Sequence, residues 1–232
     1  MTPDPTRANA RAAGLFYLLT FAASFPALAL LQPVLTEPSF ILGTGSAGQV
    51  RLGLLLDVVN AFACVGTAVA VYPVVRRQNT SVALGFVTSR LVEAGIILVG
   101  VLSLLAVVTL RDEPGAADAT TLTTVGQALV AVRDWTFLLG PAVMASINAG
   151  LFGWLLYRSG LVPRAIPALG LAGAPLLLAS ALATYAGVID QVSVWSGVAT
   201  IPVALWELSV GLWMTFRGFR PAAVAGLATA AG

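Results

Sequence analysis

The sequence predicts an all-α, polytopic membrane bundle with six transmembrane helices and both termini cytoplasmic. Three observations predict it. The 232-residue chain is 58% hydrophobic and only 9% charged, with a mean hydropathy of +0.93, whereas a soluble domain carries roughly 25% charged residues. Six apolar runs each meet or exceed the roughly 20 residues that a helix needs to cross about 30 Å of hydrocarbon. The arginines then alternate from loop to loop.

Taken in order, the first run is Ala12–Leu31, without a charge. Arg7, Arg11 and the later Ala27-Leu28-Ala29 resemble a signal peptide. The apolar run is longer than a usual signal core, so it is expected to stay as the first span. The second run, Leu52–Val75, contains only Asp57. The third, Val82–Leu110, contains Arg90 and Glu93. Trp135–Tyr157 and Ala165–Ile189 contain no charge, and Gln191–Phe216 contains only Glu207. Unbroken apolar runs argue for helices, because barrel strands alternate. Pro26, Pro141, Pro175 and Pro202 fall inside spans, where each can kink its helix. Ala179, Ala183 and Gly187 recur every four residues and predict a small face for close contact in span five. Trp195, Trp206 and Trp213 are expected to meet lipid or packing partners, and Cys64 to be a small core residue.

The connections are short. Glu37–Val50 reads as a flexible loop. Its Gly43-Thr44-Gly45-Ser46-Ala47-Gly48 matches G-x-G-x-x-G, but no strand precedes it and it falls on the external side. Arg111–Thr124 forms the second external loop, and Thr121–Val132 reads as an interfacial helix leading into span four. Residues 1–220 form one six-span domain. Pro221–Gly232 opens with a proline, is otherwise rich in Ala and Gly, and is expected to be a disordered cytoplasmic tail. No internal repeat is visible.

Arginine placement sets the orientation. Arg7, Arg11, Arg76, Arg77, Arg158, Arg164, Arg217 and Arg220 all fall on one side of the six-span scheme. The other side has only Arg51 and Arg111, together with Glu37, Asp112, Glu113, Asp118 and Asp190. The positive-inside rule places the arginine-rich side in the cytoplasm.

Composition narrows the chemistry. The chain has no His and its basic residues are all Arg, so imidazole catalysis and Schiff-base chemistry have no residue to carry them. One cysteine excludes an internal disulfide and a cysteine-rich metal site. A net charge of +2 gives no reason to expect nucleic acid. No cofactor and no catalytic role are expected. Hydrolysis by Asp57 and Glu207, or a metal held by carboxylates, is weakly motivated.

The informative residues are the polar ones within the spans, since ionisable groups in hydrocarbon are costly and tend to mark function. Helical rise puts Glu207, Glu93 and Arg90 roughly 12 to 16 Å from the arginine-rich side, near the midplane, with Asn148 at similar depth. Asp57 and Asn60 lie toward the outer end of span two. Arg133 and Asp134 lie at or beyond the outer end of span four. Arg90 and Glu93 share a helical face at i, i+3. Asp57, Asn60 and Cys64 form a stripe, and Thr200 shares a face with Glu207. These patterns predict a polar cleft lined by spans two, three, four and six, with Arg90 bridging Glu93 and Glu207 at its floor. Four carboxylates facing two guanidinium groups imply that one acid is protonated, and Glu207 is chosen because its own helix offers no partner. For Arg133-Asp134-Trp135 an interfacial cap with an aromatic anchor is the preferred reading.

Several segments carry a resemblance: Arg11-Ala12-Ala13-Gly14-Leu15 to Leu19-Thr20, Tyr72-Pro73-Val74 with Asn79, and Ala83-Leu84-Gly85-Phe86 to Arg90-Leu91-Val92-Glu93-Ala94. Arg133-Asp134-Trp135-Thr136, Leu155-Leu156-Tyr157-Arg158-Ser159, Leu161-Val162-Pro163-Arg164, and Pro202 with Glu207 continue it. Over Arg11 to about Phe219 the chain resembles a bacterial family of six-helix membrane proteins known only as domain of unknown function 4386. The resemblance implies a stand-alone multi-pass protein of the bacterial cytoplasmic membrane and supplies no activity.

Two functions follow from the residues. One is a carrier or binding protein for a small solute or lipid, with Arg90, Glu93, Glu207, Asp57, Asn60, Asn148, Arg133 and Asp134 as the ligand-facing set. Six spans are few for a carrier, so a homodimer is expected. The other is a non-catalytic membrane scaffold or assembly subunit whose buried charges hold helices together.

Overall fold

The computed structural model describes residues 5–230. Helices account for all the regular structure among them: α1 (Pro5–Thr36), a 3-10 turn (Pro38–Leu42), α2 (Ala47–Val75) and α3 (Thr80–Asp112). A rod of 41 residues follows, Ala119–Ser159, here α4. Then come α5 (Ala165–Tyr185), α6 (Val194–Phe216) and α7 (Pro221–Ala230). The helices α1 to α6 are all long and apolar enough to cross a membrane, so the predicted bundle of six spans is what forms.

Local chemistry explains the helix boundaries. Ser46, Asn79, Asp118 and Ser193 each accept a hydrogen bond from a backbone N–H of the first turn that follows, supplying partners for N–H groups that a helix leaves unpaired. The N–H and hydroxyl of Thr121 hold the Asp118 carboxyl below its usual range. Gly160 closes α4 in the left-handed region at φ 66°, which costs glycine no Cβ clash.

At about 1.5 Å per residue, α1 and α3 are each close to 50 Å long, well beyond 30 Å of hydrocarbon. The excess makes a cap at the end of the bundle away from the termini. Leu31, Val34, Phe40, Ile41, Leu104, Val107 and Leu122 pack there into a core of their own. The glycine loop belongs to this cap and is pinned, contrary to the flexible-loop expectation. Arg111 donates from Nη1 to the Phe40 carbonyl at 3.0 Å and to that of Thr44, and from Nη2 to the Gly43 and Gly45 carbonyls at 2.9 Å. Its guanidinium lies 4.4 Å from the Phe40 ring centroid. The loop therefore presents carbonyls to a cation, the opposite polarity to a phosphate-binding loop.

At the other end the termini come together. A Cβ on Gly218 would lie 3.6 Å from Arg7 Cγ. All eight arginines of that side are exposed. The expected disordered tail is instead helical over Pro221–Ala230; the expectation for 231–232 lies outside the described residues. Proline breaks a helix in its interior but suits its first turn, where no N–H is needed. Leu227 then seats this helix in the main core.

Close helix contacts use glycines. A Cβ on Gly14 of α1 would come within 2.7 Å of the Gly211 carbonyl of α6, and one on Gly170 of α5 within 2.6 Å of the Trp206 ring. The predicted small face of span five is not the packing face: Ala179 is exposed, and Gly187 lies beyond the end of α5. Gly170 and Gly173, with Ala174, Leu177 and Ala181, face inward instead. Replacing Gly170 with Val should therefore destabilise the purified protein by about 1–3 kcal/mol through overpacking and lower its melting temperature. Ala179→Val should leave it unchanged, and differential scanning fluorimetry in detergent compares the two.

Candidate functional site

The site is built around Arg90 on α3, a buried guanidinium with 2% residue exposure. Its Nη1 donates to Glu93 Oε2 at 2.8 Å, and its Nη2 to Glu207 Oε1 at 2.9 Å. The predicted bridge is thus present and joins α3 to α6. Cys64 Sγ of α2 lies 3.7 Å from Nη1. Asn148 of α4 donates from Nδ2 to Glu93 Oε2 at 2.7 Å, and its own carbonyl accepts from the Ser89 hydroxyl. A chain of polar contacts therefore runs from α3 to α4, back to α3 and on to α6, with no water required.

Aromatic rings form its floor. Tyr17, Phe86, Phe152 and Trp206 are all fully buried. Phe86 and Phe152 stack with centroids 4.7 Å apart, and Tyr17 and Trp206 meet Phe152 at 6.0 and 6.2 Å. The Arg90 guanidinium carbon lies 5.1 Å from the Tyr17 ring and 5.8 Å from that of Phe86. Ring faces carry negative potential, so this floor favours the cation on the side the carboxylates leave open.

A second ion pair lies nearer the cap. Arg133 of α4 donates from Nη2 to Asp57 Oδ2 of α2 at 2.9 Å, and both side chains are under one-tenth exposed. This overturns the interfacial-cap reading for Arg133. The triplet splits: Arg133 turns inward, while Asp134 and Trp135 face out. Trp135 meets Tyr185 edge-on at 5.9 Å, and both rings are exposed, as expected of aromatics at a membrane boundary. Room for Arg133 comes from Gly100, where a Cβ would lie 2.9 Å from Arg133 Cδ.

The rod α4 turns both Arg133 and Asn148 toward the bundle interior, about 22 Å apart along its axis, by a change of pitch. Leu138–Met144 is a π-helical segment around Pro141. Proline offers no N–H and its ring would strike the carbonyl four residues back, so a wider turn accommodates it.

Both ion pairs line one cavity of about 230 Å³, with Asn60, Cys64 and Thr200 also on its wall. Spans two, three, four and six contribute as predicted. Leu177 of α5 joins them, and so do Thr20, Phe21, Ser24, Phe25 and Leu28 of α1. Span one was missed because it carries no charge, although Thr20 and Ser24 share a face at i, i+4 and could have signalled it. Phe25 is 63% exposed, so the cavity reaches the side of the bundle. Asn148 is fully buried and supports Glu93 from behind. Asp134 lines a separate pocket in the cap, with Glu37 and Gln127. Within the cavity the balance is three carboxylates to two guanidinium groups, and the four-to-two count does not hold.

A family model described as "Domain of unknown function (DUF4386)" matches residues 12–218. The chain belongs to this family. No curated protein and no solved structure matches it. Membership and the bundle of apolar helices make it a membrane protein, and the family brings no activity with it.

The geometry ranks the two acids on Arg90. Glu93 serves two donors and its side chain is 5% exposed, whereas Glu207 serves one and is 17% exposed. Breaking a buried ion pair costs about 3–5 kcal/mol. Glu93→Ala should accordingly reduce the monodisperse fraction on size exclusion much more than Glu207→Ala; equal losses would contradict this ranking.

Proposed function

We propose that this protein binds or translocates a small solute or lipid through the polar cavity inside its bundle, with Arg90, Glu93, Glu207, Asp57, Asn60 and Arg133 around the ligand. The observation that carries this reading is that both buried ion pairs open onto a single cavity, when either could have been sealed between helices. Ionisable groups at membrane depth face cavities or pathways far more often than lipid. The aromatic and aliphatic wall of α1 supplies the apolar remainder of such a site.

A thermal-shift screen of purified protein against amphiphile and metabolite panels tests it. At least one compound class should raise the melting temperature of the wild type and do so less for Glu207→Gln. If no compound stabilises either form, the reading loses to the scaffold, which the sealed Ser89–Asn148–Glu93 chain favours. On the scaffold reading, Arg90→Ala and Glu207→Ala change only folded yield, and no variant folds normally while losing a phenotype.

We also place the arginine-rich end in the cytoplasm of a bacterial inner membrane, with the cap outside. The support is the eight-to-two arginine asymmetry between the two ends. Single cysteines at Thr44 and Ser159, in a Cys64→Ala background, should label oppositely with a membrane-impermeant maleimide in intact cells: Thr44 labelled, Ser159 protected.

A further inference from the structure

The charge inventory of the cavity says which ligand chemistry it suits. Arg90 is taken up by Glu93 and Glu207, and Arg133 by Asp57. Each carboxylate commits a single oxygen. Glu207 Oε2, Glu93 Oε1 and Asp57 Oδ1 accept no hydrogen bond among the described residues, and none is a sealed, partnerless atom. The Asn60 side chain, 9% exposed and on the cavity wall, likewise makes no hydrogen bond. Around Arg90 the unused capacity that faces the cavity therefore consists of carboxylate oxygens. Toward the cap, Arg133 Nη1 makes no hydrogen bond among the described residues, and the Nε of Arg90 and that of Arg133 are each buried without a partner. The Arg90 cluster alone holds two carboxylates to one guanidinium, and Glu207 is its most open member.

The wall beside these acceptors is aromatic. Phe21 and Phe25 lie with ring centroids 5.8 Å apart, and both line the cavity with Leu28. Ring faces attract organic cations, more strongly where water is excluded. An anion beside Glu207 would meet the reverse, with both Arg90 Nη groups already paired and the unpaired oxygens repelling it; only Arg133 Nη1, toward the cap, would favour it. On the terminal side of the cavity, α1 and α6 close tightly at Gly14 and Gly211. At the cavity itself Phe25 of α1 and Thr200 of α6 both line the wall and are exposed, so the cavity opens there. That opening offers an apolar molecule entry from the side of the bundle.

From these observations, and resting on the binding function proposed above, we infer that the ligand class is an amphiphilic organic cation. Its cationic head meets Glu207 and its apolar body lies against Phe21, Phe25 and Leu28, between α1 and α6. Ala204 lies three residues before Glu207 on the same face and also lines the cavity, so a larger side chain there fills the space without altering charge.

Isothermal titration of the detergent-solubilised full chain with benzyltrimethylammonium, benzyl alcohol and benzylphosphonate tests this. Benzyltrimethylammonium should bind most tightly. Glu207→Gln should weaken it by about tenfold or more, Glu207→Asp should retain it, and benzyl alcohol should be indifferent to either change. Should Glu207→Gln not fold, Ala204→Leu decides, since it should abolish cation binding while keeping every charge. Tighter binding of benzylphosphonate would overturn the cationic class yet leave a binding cavity. Equal binding of all three, or cation binding that survives Ala204→Leu, would overturn the inference. Failure of all three probes would also overturn it; the broader binding function fails only if the amphiphile and metabolite panels are silent too.

Discussion

A guanidinium cannot be left alone where there is no water, and most of this structure answers that constraint at Arg90. Two carboxylates from different helices reach it at hydrogen-bonding distance, and two aromatic rings lie against it. Because lipid is as apolar as the helix surfaces, apolar contact alone does little to draw transmembrane helices together. The Arg90 bridge thus ties α6 to α3 across the interior, although α6 packs mainly on α1 and α5, and the Asn148 contact specifies the rotation of α4. Trp206, next to Glu207, then fills the space that Gly170 leaves open. Close packing sets α6 against α1 and α5, and charge pairing adds a tie to α3, so the two fix different sides of the same helix.

The two ends of the bundle are built on different principles. At the terminal end, arginines point outward and the chain closes by short connections, with the Arg220 N–H donating to the Leu161 carbonyl at 2.9 Å. At the far end, helices that overshoot the hydrocarbon pack on one another, and Arg111 gathers the backbone carbonyls of the first connection. A guanidinium fork can serve several fixed carbonyls at once, which a compact ammonium group serves less well. The same side chain type thus marks orientation at one end and organises a loop at the other.

Much of the site was legible because it obeyed helical periodicity. Arg90 and Glu93 at i, i+3, the Asp57–Asn60–Cys64 stripe and the shared depth of Glu207 all follow from a rise of about 1.5 Å per residue. What escaped was set by tertiary context. Pro141 interrupts the phase of α4, so the inward turn of Arg133 could not be computed from its neighbours. Pro221 can start a helix or end one, and only the apolar surface that Leu227 covers decides between them. Gly170 and Ala179 offer equally small surfaces, but Trp206 stands opposite only one. The contribution of α1 was hidden because threonine, serine and phenylalanine do not stand out in an apolar run.

The wide turn in α4 has a consequence for how its two halves are coupled. Each residue added to or removed from a helix rotates everything beyond it by about 100°. Trimming one residue from Leu138–Met144 to restore regular pitch would swing Arg133 off Asp57 toward the hydrocarbon, while Asn148 kept its place. The irregular turn therefore acts as a phase adjuster, and its length in residues decides whether Arg133 and Asn148 can both face the bundle interior at all.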